Sequence, residues 1–275
     1  MDRDQLSAIA EQTDRIVASG RYRSTSGTAV DISPAIAEAV RGTRLYLPEQ
    51  PVPPEPQPGR PARIEVLDCS TLAAARQLAS AAPDEPACLN FASARKPGGG
   101  YSSGATAQEE SLARASALVA CLRAAPDYYR YHRAHRDPLY SDRIIYSPAV
   151  PVFRDDDHSL LDQPYQVAFL TSAAPNASAT TSVEQRELIP SVLHERAAKV
   201  LTVAHDNGHQ RLVLGAWGCG VFGNDPEVVA AAFAELLTGD GPFAHRFTHV
   251  VFAVLDRPPF PRLTAFSTAL AQPRP

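Results

Sequence analysis

The chain has 275 residues, of which 44% are hydrophobic and 20% are charged, and its formal net charge is −4. This composition is typical of a globular protein with a buried core, and the length fits one large domain or two small ones. The negative charge argues against general nucleic-acid binding and against a basic membrane-binding face, although backbone N–H groups can still hold a polyanionic ligand locally.

The cysteines and the N-terminus bear on the cellular compartment. The four cysteines are widely spaced and include no Cys-x-x-Cys pair, which favours reduced thiols over a disulfide framework or a zinc site. The N-terminus lacks a basic start followed by an apolar run, and no apolar run reaches the roughly 18 residues of a membrane span. We therefore expect a cytoplasmic protein without a signal peptide or a membrane span.

The first part of the chain is predicted to be mainly helical. Apolar residues at helical spacing predict a helix over 3–19, ended by Gly20. A second helix is predicted at 33–41, followed by a short strand at 44–47. Residues 48–61 contain seven prolines, which exclude a helix or a central strand. A surface loop is favoured over a linker between domains there, because the preceding segment is too short and too poor in aliphatic residues to bury its own core.

From residue 63 onward, predicted strands and helices alternate. Strands are predicted at 64–67, 87–90, 144–146, 150–153, 167–171, 211–215 and 249–255. Helices are predicted at 70–81, 108–124, 183–206, 225–237 and 263–270. Pro190 is expected to kink or restart the helix at 183–206. This alternation predicts an α/β layered fold with a mostly parallel sheet.

Two glycine-rich loops follow predicted strands. The loop after the strand at 87–90 holds three consecutive glycines at 98–100, and a second loop runs from Gly215 to Gly223 before the helix at 225–237. Ligand sites in such sheets form beyond the C-terminal ends of the strands. We therefore expect both loops to face a single ligand, and a glycine loop before a helix suits a phosphate or diphosphate.

Short motifs in these loops have other known meanings. Gly218–Gly223 matches G-x-G-x-x-G, but the next predicted strand ends at Asp256, 33 residues later, instead of the roughly 20 that a dinucleotide-binding fold needs. Residues 100–104 match the G-x-S-x-G serine-hydrolase elbow, yet no strand directly precedes them and no helix directly follows. Cys219 is expected to be a buried small thiol. Phosphate binding therefore remains the favoured function of the second loop, and a tight turn without a ligand is the alternative.

Two histidine pairs have the spacing of metal ligands on a helix. His132 and His135 are three residues apart, and His205 and His209 are four apart. Asn207-Gly208 interrupts the second pair, and neither pair has a clear third ligand nearby. We therefore expect surface or packing histidines and no metal site.

Gln108, Glu109 and Glu110 stand at the start of a predicted helix that follows the three glycines. Acidic residues in a first turn offset the helix dipole, and a pair of carboxyls beside a bound substrate also suits acid–base chemistry. The helix N-terminus lowers a carboxyl pKa, whereas burial and a neighbouring like charge raise it. From the residues alone, both interpretations of the pair remain open.

Taken together, these motifs resemble one family. Asn90-Phe-Ala-Ser93, Pro97-Gly-Gly-Gly100 and, seven residues later, Gln108-Glu-Glu110 resemble the bacterial-type poly(ADP-ribose) glycohydrolases of the macrodomain superfamily. The run from Gly215 to Asp225 is similar to that family's diphosphate-binding loop. The similarity extends from about residue 14 to about residue 260.

The resemblance implies an α/β macrodomain-like fold, in which a mixed β-sheet is sandwiched between α-helices with an N-terminal helical extension. It implies a single catalytic domain over 1–275, with the extension and the proline-rich loop at 1–62 and the macrodomain core at 63–275.

The resemblance also implies residue roles. Glu110 matches the catalytic glutamate, and Glu109 matches the neighbour that helps to hold the ribose. Phe222 is placed to press on the distal ribose. Ser93 departs from the wider superfamily, in which many members carry asparagine. The implied substrate-binding residues are Asn90, Ser93, Gly98, Gly99, Gly100, Gln108, Gly218, Cys219, Gly220, Val221, Phe222 and Gly223.

The implied activity is hydrolysis of the ribose–ribose O-glycosidic bonds of poly(ADP-ribose), which releases ADP-ribose, with Glu110 as general acid and base and with no metal or cofactor. The expected partners are poly(ADP-ribose) or ADP-ribosylated proteins as substrate. Neither membrane nor direct DNA binding is expected, and the protein is expected to be a monomer. The alternatives are a non-catalytic ADP-ribose-binding macrodomain, a mono-ADP-ribosyl-protein hydrolase and, on the glycine loop alone, a nicotinamide-dependent oxidoreductase.

Overall fold

A mixed β-sheet forms the centre of the protein. The computed structural model describes residues 1–50, 53–55 and 58–271. Its strands are β1 (Arg21–Arg23), β2 (Ala29–Asp31), β3 (Arg44–Tyr46), β4 (Arg63–Leu67), β5 (Ala87–Phe91), β6 (Ile144–Arg154), β7 (Leu160–Ser172), β8 (Arg211–Gly215) and β9 (His249–Ala253). Within the described residues, β1 and β2 form a separate hairpin, and the other seven strands form one sheet in the order β3-β6-β7-β5-β8-β9-β4.

Five adjacent strands of the sheet, β7, β5, β8, β9 and β4, run parallel to one another. β6 runs antiparallel to both of its neighbours, β7 and β3. The C-terminal ends of the parallel strands therefore meet at one edge of the sheet, where ligand sites of such folds form. The predicted mixed, mostly parallel α/β sheet is confirmed.

Helices cover both faces of the sheet. They are α1 (Arg3–Ser19), α2 (Ser33–Gly42), α3 (Thr71–Ala81), α4 (Gln108–Ala115), α5 (Leu118–Ala124), α6 (Pro126–Ala134), α7 (Val183–Asp206), α8 (Pro226–Leu237) and α9 (Pro261–Ala269). Alternate strand residues supply the two cores, as the strand period of two requires. Leu212 and Leu214 join the core under α7, α8 and α9, whereas Val213 joins the core under α3, α4 and α5.

Some predicted elements differ from the structure where tertiary contacts decide. The predicted helix at 108–124 breaks at Ser116, which is extended and forms an isolated antiparallel bridge with Val152 of β6. The Ser116 hydroxyl donates to Leu112 O at 2.7 Å and so competes with helix continuation. α7 runs without interruption through Pro190. The strands predicted at 144–146 and 150–153 are one strand with a bulge.

The N-terminal segment is less purely helical than predicted. It forms α1, which Gly20 ends in the left-handed conformation as expected, and the predicted short strand, here β3, but also the β1–β2 hairpin, which the sequence did not indicate. Because β3 is an edge strand of the main sheet, we propose that residues 1–62 and 63–275 form one domain. Of the proline-rich stretch 48–61, the described residues form neither helix nor strand, and residues 51, 52, 56 and 57 lie outside the described residues. None of the helices in the described ranges has the length and hydropathy needed to cross a bilayer.

Glu85 lies just before β5, at the opposite edge of the sheet from the glycine loops. Its Oε1 accepts from the Ala149 N–H at 2.6 Å, and burial raises its pKa to about 7. Because folding raises this pKa, the stability linked to Glu85 is fully present below its unfolded pKa and is lost as the pH rises through about 7. Glu85→Gln keeps a side-chain oxygen that can accept this hydrogen bond, but it removes the carboxylate charge.

We therefore expect Glu85→Gln to increase the free energy of unfolding at pH 8 by roughly 1–3 kcal/mol and to leave it nearly unchanged near pH 4.5. Urea unfolding at the two pH values measures this difference. Glu187→Gln on the exposed face of α7 is the matched control. A Glu85→Gln gain of equal size at both pH values would contradict the assignment.

Candidate active site

Loops at the C-terminal edge of the parallel strands surround a cavity of about 860 Å³. Ser93 follows β5, Ala174 follows β7, Gly218 follows β8 and Val254 follows β9, and all four line this cavity. The first turn of α4 also reaches it. The edge predicted from the strand order therefore holds the site.

The predicted site residues divide into two groups by their position. Asn90, the three glycines 98–100, Cys219 and Gly223 are next in sequence or in space to the cavity wall without lining it. The others lie on the wall: Ser93, Gln108, Glu109, Glu110, Gly218, Gly220, Val221 and Phe222.

Glu110 presents one bound and one unbound carboxyl oxygen. The side chain is buried, and its Oε1 accepts from the Gly100 N–H at 2.8 Å. Its Oε2 is buried and has no hydrogen-bond partner among the described residues. A buried polar atom without a partner costs free energy. Glu110 Oε2 is therefore the atom of this carboxyl that a proton or a ligand group would satisfy.

The glycines at 98–100 allow the loop to approach this carboxyl closely. Gly99 has a φ of +58°, and a Cβ atom there would collide with Glu110 Oε1. Gly98 also has a positive φ, and a Cβ there would lie 2.9 Å from Val119 Cγ2. Glycine at these positions thus allows the loop to pack directly against Glu110 and Val119.

Glu109 is more deeply buried, with 2% of its surface exposed. Its Oε2 accepts from the Ser93 N–H at 2.6 Å, and its Oε1 faces Asn90 Nδ2 at 3.4 Å. Burial raises the pKa of Glu109 to about 8; the Ser93 N–H opposes this shift, and the charge of Glu110 adds to it. Glu109 is therefore largely protonated at neutral pH.

Asn90 lies beneath Glu109 and supports it. Its Nδ2 also donates to Thr171 Oγ1 at 3.2 Å, which ties Glu109 to both β5 and β7. Asn90 Oδ1 is buried and has no partner among the described side chains and backbone. The structure thus gives Asn90 contacts to a site residue instead of to the cavity.

Gln108 fastens the start of α4 to the end of β5. Its Oε1 accepts from the Phe91 N–H at 2.9 Å, and its Nε2 donates to Leu89 O at 2.8 Å and to Thr71 Oγ1 at 3.1 Å. Both ends of the amide are engaged by the chain. Gln108 therefore sets where the two following glutamates lie, although its side chain also borders the cavity.

The loop after β8 presents free backbone donors to the cavity. The N–H groups of Gly218, Gly220, Val221 and Phe222 have no hydrogen-bond partner in the part of the chain that the structure describes. Such a row of N–H groups forms a concave anion site. The following helix contributes less than the sequence suggests, because Asp225 caps α8 by accepting from the Glu227 N–H at 2.9 Å. An anion here is expected to bind the loop itself.

Two side chains that sequence reasoning did not select hold this loop in place. Asn224 is buried, and its Nδ2 donates to Pro175 O at 2.8 Å and to Gly218 O at 3.2 Å. The Trp217 indole donates to Ser172 O at 3.0 Å. The sequence does carry a signal for these two residues: an asparagine and a tryptophan stand within a glycine-rich loop, and both side chains need a hydrogen-bond partner when they are buried.

Two glycines in this loop differ in how much they constrain it. Gly218 has a φ of +74°, and a Cβ there would lie 2.6 Å from Ala174 Cβ and collide with Asn224 Nδ2. Gly220 lacks a positive φ, and a Cβ there would meet nothing within 4 Å.

We expect Gly218→Ala to lower the free energy of unfolding by about 1–3 kcal/mol and Gly220→Ala to change it by less than about 0.5 kcal/mol. Urea unfolding of the two variants measures this; equal losses would contradict the geometry.

Phe222 packs on its outer side against the loop that follows α6. This loop carries Tyr140, whose ring centre lies 5.8 Å from that of Phe222. Buried His132 fixes this loop through Nε2, which lies 2.9 Å from Ser141 Oγ. His132 therefore has a packing role.

Cys219 lies between Gly218 and Gly220 but points away from the cavity. Burial raises the pKa of its thiol to about 12. The thiol is therefore protonated at neutral pH, which fits a packing role.

Fold and site together define an α/β protein in which a carboxyl pair at a helix start and an anion-binding loop face one cavity. This is a class suited to acid–base chemistry on a phosphate-bearing ligand. The family model for the microbial-type PARG catalytic domain matches residues 10–155, and the chain belongs to this family. PARG denotes poly(ADP-ribose) glycohydrolase.

Solved structures of bacterial members are similar along most of the chain. PARG from Thermomonospora curvata is 56% identical, with a TM-score of 0.92, over 97% of this chain and 100% of that one. Its complex with the inhibitor ADP-HPD gives 56% identity and a TM-score of 0.91 over 97% and 99% of the two chains. PARG from Deinococcus radiodurans in complex with ADP-ribose is 44% identical, with a TM-score of 0.80, over 86% and 97%. Comparison with curated proteins found no match. The resemblance read from the sequence and the fold it implied are confirmed.

Proposed function

We propose that this protein is a poly(ADP-ribose) glycohydrolase, which hydrolyses ribose–ribose O-glycosidic bonds and releases ADP-ribose. The observation that carries the proposal is the Glu110 carboxyl, held by the Gly100 N–H through one oxygen and free at the other, on the same cavity as the anion loop. Family membership supports it, as do the bacterial relatives solved with ADP-ribose and with ADP-HPD.

The terminal ADP-ribose unit binds with its diphosphate on the N–H groups of residues 218–222. The backbone donors need no net positive charge, which fits a chain of net charge −4. Phe222, backed by Tyr140, contacts the distal ribose. Glu109, largely protonated, forms a hydrogen bond with a hydroxyl group of the bound ribose.

Glu110 acts as both acid and base. It donates its proton to the leaving ribose oxygen as the C–O glycosidic bond breaks, and the sugar carbon becomes oxocarbenium-like. The nearby phosphates stabilise that positive charge. Water then attacks the carbon, and the ionised Glu110 takes the proton that water loses. One glycosidic bond and one water become two hydroxyl groups, and Glu110 returns to its initial state.

The partners follow from this chemistry. Poly(ADP-ribose), free or on ADP-ribosylated proteins, is the substrate, and ADP-ribose is the product. The protein is proposed to act as a cytoplasmic monomer without binding DNA, supported by its acidic net charge and by four cysteines that form no disulfide.

The test is a time course with automodified, labelled poly(ADP-ribose) and, in parallel, a mono-ADP-ribosylated protein. The proposal expects ADP-ribose to accumulate from the polymer, with little release from the mono-modified protein. Release from the mono-modified protein alone would replace the proposal with a mono-ADP-ribosyl-protein hydrolase. Tight ADP-ribose binding without any product would make the protein a reader of ADP-ribose.

A further inference from the structure

Arg114 is a buried cation one helical turn beyond Glu110. The two residues lie on the same side of α4, because residues four apart in a helix share a face. Only 2% of the Arg114 surface is exposed, yet the residue borders the cavity. A buried guanidinium is costly unless its N–H groups find partners. Its partners therefore indicate what it does.

Those partners are carbonyl oxygens of the loop behind Glu110. Arg114 Nη1 donates to Ala105 O at 2.7 Å and to Tyr101 O at 3.3 Å. These two carbonyls flank the turn that begins at Gly100, and the Ala105 N–H itself donates to Gly100 O at 3.2 Å. The guanidinium thus connects this turn to α4. Because Gly100 begins the turn, the guanidinium also fixes the position of the Gly100 N–H, which donates to Glu110 Oε1.

Arg114 is itself fixed from the outer side. Its carbonyl oxygen accepts from Thr13 Oγ1 at 2.6 Å and from Arg154 Nε at 3.3 Å. These contacts come from α1 and from the end of β6. These two contacts therefore anchor the backbone from which the guanidinium extends.

The charge of Arg114 also interacts with that of Glu110. Burial lowers the pKa of Arg114, and the negative charge of Glu110 opposes that shift. The guanidinium and the carboxylate therefore attract each other electrostatically. No nucleotide contact is needed for this effect.

We propose that Arg114 is a positioning residue for the hydrolysis: through the carbonyl oxygens of Tyr101 and Ala105, it holds the turn whose Gly100 N–H donates to Glu110. This inference rests on the proposed function. It concerns the chemical step, so it predicts an effect on kcat and not on binding of ADP-ribose.

The experiment compares Arg114→Gln and Arg114→Lys with a matched control, Arg211→Lys. Arg211 is also a buried arginine that donates to backbone carbonyls, but it lies at the opposite edge of the sheet, where its Nη2 contacts Ala82 O at 3.2 Å. Kinetics on labelled polymer give kcat and KM, calorimetry gives the Kd of ADP-ribose, and circular dichroism gives the folded fraction.

Arg114→Gln is expected to lower kcat by about 10²-fold, the size of effect that follows when a catalytic group is displaced by about 1 Å. KM and the Kd of ADP-ribose should change by less than about threefold, since the diphosphate loop is intact. Arg114→Lys restores the charge but not the two-carbonyl contact, so its kcat should lie between those of Arg114→Gln and wild type. Arg211→Lys should retain the wild-type kcat per folded molecule.

Wild-type kcat in Arg114→Gln would overturn the proposal. So would a loss of kcat and of ADP-ribose affinity in the same proportion, because that is the sign of a general structural role. If Arg114→Gln does not fold, Arg114→Lys decides alone, and a wild-type kcat there overturns the inference. Failure of the proposed function is distinct, since the wild type itself would then release no ADP-ribose.

Discussion

Glu110→Gln is expected to lower kcat for polymer cleavage by about 10²–10⁴-fold and to leave ADP-ribose binding largely intact. Glutamine has nearly the same shape, and its Oε1 can still accept from the Gly100 N–H. Its amide, however, can neither donate a proton to the leaving oxygen nor take one from water. Release of labelled ADP-ribose from polymer measures the first effect, and calorimetry with ADP-ribose measures the second.

Two controls separate chemistry from folding. Glu187→Gln on α7 makes the same chemical change on an exposed residue and should cleave at the wild-type rate. Thermal unfolding of Glu110→Gln shows whether the site is intact. Near-normal cleavage by Glu110→Gln would remove Glu110 as the acid and base, and a loss of ADP-ribose affinity equal to the loss of kcat would make its role one of binding.

Much of the fold could be predicted because the deciding interactions are local. The apolar spacing of 3–19 and the glycine after it determine where α1 ends. The alternation of short apolar runs with helical patterns predicts the α/β class, and strand order then places both glycine loops at one edge. Glu109 and Glu110 could be selected through the family resemblance, because the residues alone left both a dipole-offsetting role and acid–base chemistry open.

The remaining features depend on neighbours that are distant in sequence. Ser116 ends α4 because it pairs with Val152 of β6. The sequence around Ser116 gives no indication of this strand, which lies far away along the chain. The resemblance implies that the glycines at 98–100 lie around the ribose, and the structure adds that Gly99 and Gly100 pack against the Glu110 carboxyl, ten residues further along the chain. Arg114 resembles any basic residue in a last helical turn until its carbonyl partners are known.

The two glutamates also differ in a way that sequence could not give. Both stand in the first turn of α4, yet Glu109 turns inward toward Asn90 and Ser93, whereas Glu110 keeps one oxygen without a partner among the described residues. The loop after β5 supplies the N–H groups that make this distinction. One helix start therefore carries one carboxyl with both oxygens engaged by the chain and one carboxyl with an oxygen left for a proton or a ligand.

Glu109→Gln is expected to make the protein more stable at pH 8 and less active. Burial raises the pKa of Glu109 to about 8. The stability linked to this group is therefore fully present below its unfolded pKa and is lost as the pH rises through about 8. Glutamine removes the charge, and the unpartnered Asn90 Oδ1 can accept from its amide after a flip of the Asn90 side chain. The expected gain at pH 8 is on the order of 2–4 kcal/mol.

The activity of Glu109→Gln should fall by about 2- to 10-fold, the cost of one hydrogen bond to a neutral carboxyl at about 0.5–1.5 kcal/mol. Urea unfolding at pH 5 and pH 8 measures stability, and the polymer assay at the same pH values measures kcat. Wild type should lose stability relative to the variant as the pH rises, while remaining the faster enzyme at both. A variant that is less stable than wild type at pH 8 would mean that Glu109 is ionised and well paired in the folded protein. The opposite signs of the two effects arise because the site keeps a carboxyl where burial disfavours its charge, while the proposed function uses that carboxyl for a hydrogen bond to the substrate.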